Sequence, residues 1–448
     1  MRTYLAIASL IVLGGCVTPQ PTVRYADETI IWEQAQVQPA SHQQPVANEP
    51  SDDSSSIAQL PDKPLTLVEA ERIALTNHPS LGVRRATVEI ETGRLEQAGL
   101  YPNPVIGYHA TQVGLFETAG AQGAFVRQRI VTGGKLGLNE QVASNQLDQV
   151  QHLLGAMRLQ VRNDTRVAFY DLLVAHERLK LAVALVKLSQ ELVDATRKLL
   201  QGKVVSENEL LQAEIEAEQA LIVRDNTKFQ VAASERRLGT VLGITLPANH
   251  PIAGELIGEL KTLSWKDALR ATLTEHPQLQ AADAHIERAR SAIDRANQQP
   301  VPDIDVMVSA RHNNFSGDDV ANVQVGLPIP VFDGNQGNIR AANGELSRAV
   351  SDAKRIQLQI ERRLADQFRD YQNARRQVER YQKTILPRAK SSLELVRKAY
   401  SQGQTSYLNL ITAQRTFIRA NLAHLDAWQR YRTALVLIEG KLLLSRQP

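Results

Sequence analysis

Two long stretches of the chain repeat apolar residues at seven-residue intervals. In the first stretch, a row of large apolar residues runs beside a row of small ones. The large row is Leu172, Leu179, Val186, Val193 and Leu200, and the small row is Ala168, Ala175, Ala182, Ser189 and Thr196. In the second stretch the step recurs at Leu364, Tyr371, Val378 and Ile385. A strict seven-residue period predicts left-handed coiled packing, and small residues let neighbouring backbones approach closely.

The helices that carry these rows are expected to be long. No proline occurs between Lys135 and Leu200, and about 65 residues at 1.5 Å per residue extend about 100 Å. The periodicity continues beyond the length of an ordinary amphipathic bundle helix. The sequence therefore predicts two long helical hairpins, which turn back near residues 202–209 and 403–407.

Four shorter segments alternate apolar and polar residues, which predicts strands at about 104–116, 123–131, 303–313 and 320–331. In the second pair, one set is Ile304, Val306, Val308, Ala310, Val323, Val325, Leu327 and Ile329, and the other is Asp305, Met307, Ser309, Arg311, Asn322, Gln324 and Gly326. Tilted bilayer-spanning strands need about 9 to 11 residues. A soluble sheet with one buried face is the alternative. In the first pair, the sequence does not decide whether Tyr108 or His109 belongs to the polar set.

The body of the chain consists of two copies of one unit. His78-Pro79 returns as His276-Pro277 at an offset of 198, and the offset becomes 200 at Val131 and Val331. Gly202 is matched to Gly403. We therefore expect a first repeat at 65–262 and a second at 263–448, each with short helices, a strand pair and a long helical hairpin. Two copies of this length are too few and too long for a solenoid.

The N-terminal segment is expected to be a lipoprotein signal peptide over residues 1–15. Arg2 precedes an apolar run, and Leu13-Gly14-Gly15 places small residues before Cys16, the one cysteine of the chain. Cys16 is thus the predicted lipid-attachment residue. An ordinary signal peptide that contains a cysteine is the alternative. Residues 16–64 are rich in Pro, Gln and Ser and predict a tether.

Composition excludes several classes of protein. Only 5% of residues are aromatic, and the formal charge of +3 is spread over 51 basic and 48 acidic residues, with no basic run typical of nucleic-acid binding. A single cysteine excludes an intrachain disulfide framework. After the signal, every apolar run is broken by charges, so a membrane crossing would have to use strands.

No residue pattern predicts catalysis or a resident cofactor. Gly134-Lys135 is not a phosphate-binding loop, because Arg129 and Leu136 stand where that motif needs Gly and Ser or Thr. His78 and His276 precede prolines and are interpreted as helix-ending residues. No His-x-x-x-His pair or carboxylate-rich metal loop is present. We therefore predict that the chain is not an enzyme and has no metal site.

The remaining candidate residues lie at corners and tips. Pro102, Pro104, Pro300 and Pro302 suit the turn from helix to strand, because proline neither continues a helix nor donates to a ladder. The glycines Gly133, Gly134, Gly334 and Gly337 suit the return into a helix, where a positive φ or a close approach is expected. At the tips, Gly202 and Gly403 mark the turns. Glu207 and Glu209 are candidates for a gate of carboxylates, or alternatively a solvated helix start capped by Ser206.

Four strands cannot close a barrel in lipid, because the smallest single-chain barrels have about 8 and open edges are not tolerated there. Association of three copies through one head-to-tail interface would supply 12 strands. The predicted fold is therefore mainly α with a small β part. It is a trimeric 12-stranded barrel, with four strands per chain, continuous with a long coiled-coil barrel of helices.

These features together resemble the TolC-like outer-membrane efflux family, from Leu65 to about Leu444. The resemblance is carried by the two-fold repeat, the His-Pro corners, the Gly133-Gly134-Lys135 exit and the segment from Val325 to Ile339. The part of that segment from Pro328 to Asn338 is most similar to the cobalt-zinc-cadmium cation-efflux branch. The resemblance implies a homotrimer in the outer membrane that extends into the periplasm. Its implied partners are a periplasmic adaptor and a proton-driven inner-membrane pump.

Other interpretations remain open at this stage. A duct for drugs, or for peptides and proteins as in type I secretion, would have the same architecture, because the pump normally selects the cargo. A non-conducting periplasmic adaptor or scaffold is a different class of protein. An adaptor should have one helical hairpin and a compact β-domain, whereas this sequence predicts two hairpins and two strand pairs.

Overall fold

The computed structural model describes residues 63–117 and 119–443. The lipid-attachment prediction at Cys16 and most of the predicted tether therefore lie outside the described residues. The first repeat contains, in chain order, β1 (Leu65–Thr66), α1 (Leu67–Asn77), α2 (Pro79–Ala98), β2 (Val105–Thr111), a short 3-10 turn (Leu115–Glu117), β3 (Ala121–Ile130), α3 (Lys135–Gln201), α4 (Glu207–Leu242) and β4 (Ile252–Ala253).

The second repeat follows the same order without the short strands. It contains α5 (Trp265–Glu275), α6 (Pro277–Gln298), β5 (Ile304–Asn313), β6 (Asp319–Gly326), α7 (Gln336–Arg380), a π-helical turn (Tyr381–Ile385), α8 (Leu386–Ser401) and α9 (Tyr407–Glu439). The mainly helical fold with an internal repeat is thus confirmed. The two predicted hairpins correspond to α3 with α4 and to α7 and α8 with α9.

Along the contact face of α3, the row of small residues in the seven-residue repeat is the most deeply buried. Ala168, Ala175, Ala182, Ser189 and Thr196 are all buried, none more than 5% exposed. Of the large row, Leu172 and Val193 are buried, whereas Leu179, Val186 and Leu200 are only partly covered. α3 packs against α2, α4, α6 and α9, and the small residues let these neighbours approach closely.

The second long helix interrupts its seven-residue period once. Leu364, Tyr371 and Val378 are buried at the predicted spacing, but Ile385 is 39% exposed, so its predicted place in the seam is wrong. The buried row resumes at Leu393 and Tyr400, and fifteen residues instead of fourteen separate Val378 from Leu393. The π-helical turn accommodates the extra residue, as single π-turns within helices do.

Four strands form one antiparallel sheet in the order β2-β3-β5-β6. The repeats meet where β3 pairs with β5, with Val126 opposite Val308. Two predicted strand ends are wrong. β2 stops at Thr111 because the chain turns at Gln112 (φ 58°) and Gly114 (φ 83°). β6 stops at Gly326 because Pro328 and Pro330 have no N–H to donate to a ladder.

An aromatic core fixes the segment that joins the repeats. Trp428, Tyr371 and Tyr431 are among the largest fully buried side chains. The Tyr371 hydroxyl donates to the Lys261 carbonyl (2.6 Å) and accepts from the Leu263 amide (3.0 Å). The Tyr431 hydroxyl accepts from the Lys261 amide at 2.8 Å. These bonds hold the connecting segment against α7 and α9.

Both His-Pro corners have the predicted helix-ending role. His78 ends α1 and caps α2, where its Nδ1 accepts from the Ser80 amide at 3.3 Å. His276 does the same between α5 and α6, accepting from the Gln278 amide at 3.2 Å. Burial lowers the pKa of His276 to about 4, so its ring is neutral at pH 7 and free to accept.

Candidate functional site

The sheet has one apolar face that is exposed on the single chain. The register places Ile106, Val126, Val308 and Val323 in one row across all four strands. Their exposed fractions are 75%, 47%, 49% and 71%. The next row on this face holds Tyr108, Ala124, Ala310 and Ala321. Tyr108 thus belongs to the apolar set and His109 to the polar set, which the sequence had left open.

The opposite face is polar and less exposed. It carries Arg127, Asp305, Ser309 and Gln324, and Ser309 is buried. Gly107 and Gly123 lie on this face without side chains, and a Cβ at Gly107 would be 2.5 Å from the Phe125 ring. A Cβ at Gly123 would meet the Ala310 carbonyl oxygen at 1.9 Å. The polar face is therefore crowded, and the exposed apolar face is the side that is open to contact with an apolar environment.

Both outer strands of the sheet lack a second neighbour among the described residues. β2 pairs only with β3, and β6 only with β5. An open strand edge presents unpaired N–H and C=O groups that pair readily with another chain. The two open edges are therefore positions at which a further strand can be added to this sheet.

An exposed apolar segment follows β6 directly. Leu327, Ile329, Val331 and Phe332 are 56%, 75%, 75% and 93% exposed. The segment occupies residues that the sequence assigned in part to a strand. Exposed apolar runs of this kind mark interaction surfaces.

The proline corners lie where the sequence placed them. Pro102 and Pro104 lie between α2 and β2, and Pro300 and Pro302 between α6 and β5. Their carbonyls remain available as acceptors, and that of Pro102 accepts from Gln128 Nε2 at 2.9 Å.

A buried ion pair supports the strand-to-helix exit beside these corners. Lys135, the first residue of α3, is 4% exposed, and its Nζ lies 2.7 Å from Asp303 Oδ1. The Thr132 amide donates to the same oxygen at 3.1 Å. Burial alone would raise the pKa of Asp303, but the hydrogen bonds from Lys135 and Thr132 outweigh it and lower that pKa. The sequence did not identify this pair, because 168 residues separate its members.

The two exits into the long helices use different residues for the same backbone shape. Gly134 precedes α3 with φ 64°, and Asn335 precedes α7 with φ 59°. Gly334 and Gly337 have no positive φ. A Cβ at Gly337 would meet nothing within 4 Å, so both predicted features are wrong there, whereas a Cβ at Gly334 would lie 3.4 Å from Gln336 Oε1. Asparagine tolerates this conformation because its short side chain bonds locally. Asn335 Oδ1 accepts locally from Asn338 Nδ2 at 2.6 Å, and its Nδ2 donates to the Ala296 carbonyl of α6 at 2.7 Å.

The hairpin tips also differ in sequence and agree in geometry. In the first, the Lys203 amide donates to Leu200 and the Val204 amide to Leu199, both at 2.9 Å. In the second, Gly403 donates to Tyr400 and Gln404 to Ala399, again at 2.9 Å. Lys203 (φ 56°) and Gly403 (φ 70°) therefore occupy the same left-handed position. The match of Gly202 to Gly403 is wrong by one residue, since Gly202 has φ −76°.

The acidic residues at the first tip lie in the first turn of α4. Glu207 is exposed and Glu209 is partly buried. Ser206 occupies the N-cap position, but its side chain makes no cap hydrogen bond. Glu209 is close enough to Tyr400 and Tyr407 to raise the pKa of both, although burial is the larger cause in each. Whether Glu207 and Glu209 form a gate stays a prediction.

A buried tyrosine pair lies behind the second tip. Its residues were not predicted from the sequence. The rings of Tyr400 and Tyr407 are 6.2 Å apart, and the Tyr400 hydroxyl is 3.1 Å from Thr196 Oγ1 of α3. Leu192, Val193 and Leu410 pack around them. The cluster joins the two hairpins at their ends.

α4 has two heptad rows, of which one is covered and one is not. Ala213, Ala220 and Thr227 are buried within the chain. Two residues further along, Ile215, Ile222 and Phe229 are 56%, 60% and 73% exposed. A seven-residue row of large apolar side chains is typical of a helix that packs on a neighbour. We call Ile215, Ile222 and Phe229 the outer row.

Within residues 63–117 and 119–443, no helix has the length and hydrophobicity of a membrane span. The same residues contain no cluster of three His, Cys, Asp or Glu side chains able to hold a metal ion.

Comparison with known proteins identifies relatives over most of the chain. Residues 268–440, within the second repeat, match the outer membrane efflux protein family. The cobalt-zinc-cadmium resistance protein CzcC of Cupriavidus metallidurans is 23% identical over 376 residues, covering 84% of this chain and 89% of that protein. Protein CyaE of Bordetella pertussis is also 23% identical, over 404 residues, with 84% of each chain covered.

Solved structures share the fold. The structure of CusC has a TM-score of 0.72 at 16% identity and covers 84% of this chain and 91% of its own. The outer membrane protein VceC from Vibrio cholerae has a TM-score of 0.69 at 17% identity, with coverages of 84% and 96%. The resemblance seen in the sequence is thus confirmed.

Proposed function

We propose that this chain, whose second repeat matches the outer membrane efflux protein family, is one subunit of a homotrimeric efflux duct in the outer membrane. The observation that carries the proposal is the sheet. It has an exposed apolar face and two open edges. Proline corners join it to α2 and α6, and the exits at Gly134 and Asn335 join it to the long helices α3 and α7, of 67 and 45 residues.

The apolar face is the proposed lipid contact. Strands of membrane barrels alternate apolar residues towards lipid and polar residues towards the lumen. The row of Ile106, Val126, Val308 and Val323 fits the first role, and the face with Arg127 and Gln324 fits the second. Three copies would place twelve strands in one closed barrel, in which β6 of each chain pairs with β2 of the next.

The helices support the same assembly independently. The outer row on α4 is uncovered on the single chain, although its neighbouring row is packed. A second copy is the occupant that fits a seven-residue row, because coiled packing needs another long helix beside it. The helices would extend into the periplasm, with the tips at 202–206 and 402–406 facing a periplasmic adaptor and, through it, an inner-membrane pump.

Heavy-metal cations are the proposed cargo. Similarity to CzcC, which is named for cobalt, zinc and cadmium resistance, supports this choice. CyaE is also 23% identical to this chain, so sequence identity alone does not choose the cargo. The second argument is the Pro328–Asn338 segment, which is similar to the cation-efflux branch. The chain has no enzymatic role in this proposal, and its partner pump selects the cargo.

A lipid on Cys16 is the proposed anchor. A single acyl-modified terminus holds a protein at a membrane without crossing it. Substitution Cys16→Ala should leave trimers but reduce the amount of protein in the outer-membrane fraction, whereas an unchanged amount would contradict the anchor.

Growth inhibition of a strain that lacks this chain, with and without its restoration, tests the function. Divalent metals, monovalent metals and lipophilic drugs form the panel. Sensitivity to cobalt, zinc or cadmium that the intact gene reverses supports metal efflux. Sensitivity to drugs alone would agree with the proposed efflux duct but contradict the proposed metal cargo. The test variant is Val308→Arg on the apolar face, which should fail to restore growth. Its control is Ser309→Thr on the polar face, which should restore it.

A further inference from the structure

The polar face of the sheet carries more positive than negative charge. Arg127 and Arg129 on β3 and Arg311 on β5 lie on this face. Asp305 is the one acidic residue among its strand positions. Arg129 Nε is 3.2 Å from Asp305 Oδ1, which neutralises both. Within the described part of the chain, Arg127 and Arg311 have no carboxylate partner.

The two uncompensated arginines lie at different heights along the strands. Arg127 is opposite Met307, and Arg311 is opposite Gly123, four residues further along β3. At about 3.3 Å per residue, roughly 13 Å separate these two levels. His109 shares the level of Arg311, since it is opposite Gly123 on the other side. The positive charge is therefore distributed along the sheet.

The opposite face does not balance this charge. Its one carboxylate, Asp319, is 90% exposed at the loop end of β5 and β6, where its Oδ1 lies 2.9 Å from Nδ1 of His312 on the opposite strand. Around Arg311, the contacts are neutral, and its Nη1 is 3.5 Å from Thr111 Oγ1. The guanidinium groups on the polar face are thus the main fixed charges of the sheet.

We propose that the section of the duct enclosed by these strands favours anions. The inference rests on the proposed trimer, in which the polar face lines the lumen. Three arginines against one aspartate leave two positive charges per chain, so three copies place two rings of three arginines around one passage. A passage lined by charge of one sign with low-dielectric walls concentrates counter-ions. Chloride passes and a free divalent cation meets a barrier there, so the metal cations proposed as cargo cross this section as complexes with anionic ligands.

The test is the ion selectivity of the purified full-length protein in a planar lipid bilayer under a KCl gradient. The sign and size of the reversal potential give the ratio of chloride to potassium permeability. The variant Arg127→Gln/Arg311→Gln removes both uncompensated rings. Asp305→Asn is the opposite variant, because it removes the one acidic ring and leaves Arg129 unpaired.

The wild-type duct should prefer chloride. The double variant should lower the chloride-to-potassium permeability ratio at least about twofold, and Asp305→Asn should raise it. Preference for potassium in the wild type, or the same ratio in all three proteins, would overturn the anion proposal and leave the duct intact. Absence of conductance in every protein would instead contradict the proposed duct, and the anion proposal with it. Arg224→Gln, at a partly exposed position of α4 outside the sheet, is the control and should not change the ratio.

Discussion

The two repeats build the same elements from different residues. α3 runs without a break for 67 residues along a row of small side chains. The corresponding helix of the second repeat contains a π-helical turn at Tyr381–Ile385, which ends two residues before Pro387, and its buried row contains Leu364, Tyr371 and Val378. The first tip turns at Lys203 and the second at Gly403. The comparison shows that the two repeats share their backbone geometry, whereas different side chains stabilise that geometry in each repeat.

The largest expected effect concerns helix continuity. At the offset of 200 that relates the two tips, Lys187 of α3 corresponds to Pro387. Lys187→Pro should destabilise the protein by about 3 kcal/mol or more, because α3 has no π-turn to accommodate the ring. The measurement is the thermal unfolding midpoint of the purified protein by circular dichroism.

The reverse substitution is the matched control for helix continuity. Pro387→Lys restores an N–H in α8 and should change stability by less than about 1 kcal/mol. If Lys187→Pro were equally mild, the two helices would not differ in their tolerance of a break.

The second effect concerns the seams. Ala182→Leu should cost about 1–3 kcal/mol, because the position is 4% exposed and packed closely by its neighbours. Leu395→Ala, at a 70% exposed position of α8, is a control for a change of apolar volume outside the seam and should be near neutral. Guanidinium unfolding curves of the three proteins measure the differences. A neutral Ala182→Leu would mean that the small row does not set the approach of the helices.

A smaller effect is expected at the tips. Gly403→Ala should destabilise the second hairpin by about 1 kcal/mol, because a left-handed φ is costly for residues with a Cβ. Lys203→Gly should be neutral or stabilising by a few tenths of a kcal/mol, since the strain relieved is offset by the entropy of glycine. Hydrogen exchange of the amides at 199–206 and 399–406 reports each turn separately. A neutral Gly403→Ala, or a clear loss of stability in Lys203→Gly, would contradict the shared left-handed position of the two residues.

An effect of a different kind is a pH dependence that distinguishes the two His-Pro corners. The folded-state pKa of His276 is lowered to about 4, below the usual value of 6.5, because the ring is buried. The unfolded chain therefore binds a proton between these values that the folded chain does not. The contribution of His276 to the free energy of unfolding is therefore fully present above pH 6.5 and is lost as the pH falls towards 4.

His276→Asn tests this pH dependence. Asparagine keeps an N-cap acceptor but does not titrate, so the variant should lose less stability than the wild type between pH 6.5 and 4. His78→Asn, at the equivalent and less buried corner, is the control. Identical pH profiles of wild type and His276→Asn would contradict the assignment.

Periodicity in the sequence predicted most of the fold and part of the site. The seam residues from Ala168 to Thr196 and the alternation from Ile304 to Ala310 were found because burial repeats at the period of the element. The placement of Tyr108 on the apolar face was not found, because Gly107 interrupts the alternation of β2 and the Phe125 ring occupies the space beside it.

Features that depend on contacts far apart in sequence were not predicted. Lys203 and Asn335 adopt left-handed backbone at positions where the neighbouring glycines gave a stronger local signal. The pairing of Lys135 with Asp303 and the contact of Tyr400 with Thr196 form only when the two repeats are packed together. The phase shift after Val378 needs the π-turn, for which Pro387 is the sole local sign.

The central claim is that the sheet lies in a membrane with its apolar face towards lipid. Single cysteines placed along β6 at Asn322, Val323, Gln324 and Val325 can be labelled in native outer membranes with a membrane-impermeant maleimide, with the protein lacking an added cysteine as reference. The account predicts alternation, with labelling at Asn322 and Gln324 and protection at Val323 and Val325. Labelling at all four positions, or protection at the two polar ones only, would contradict it.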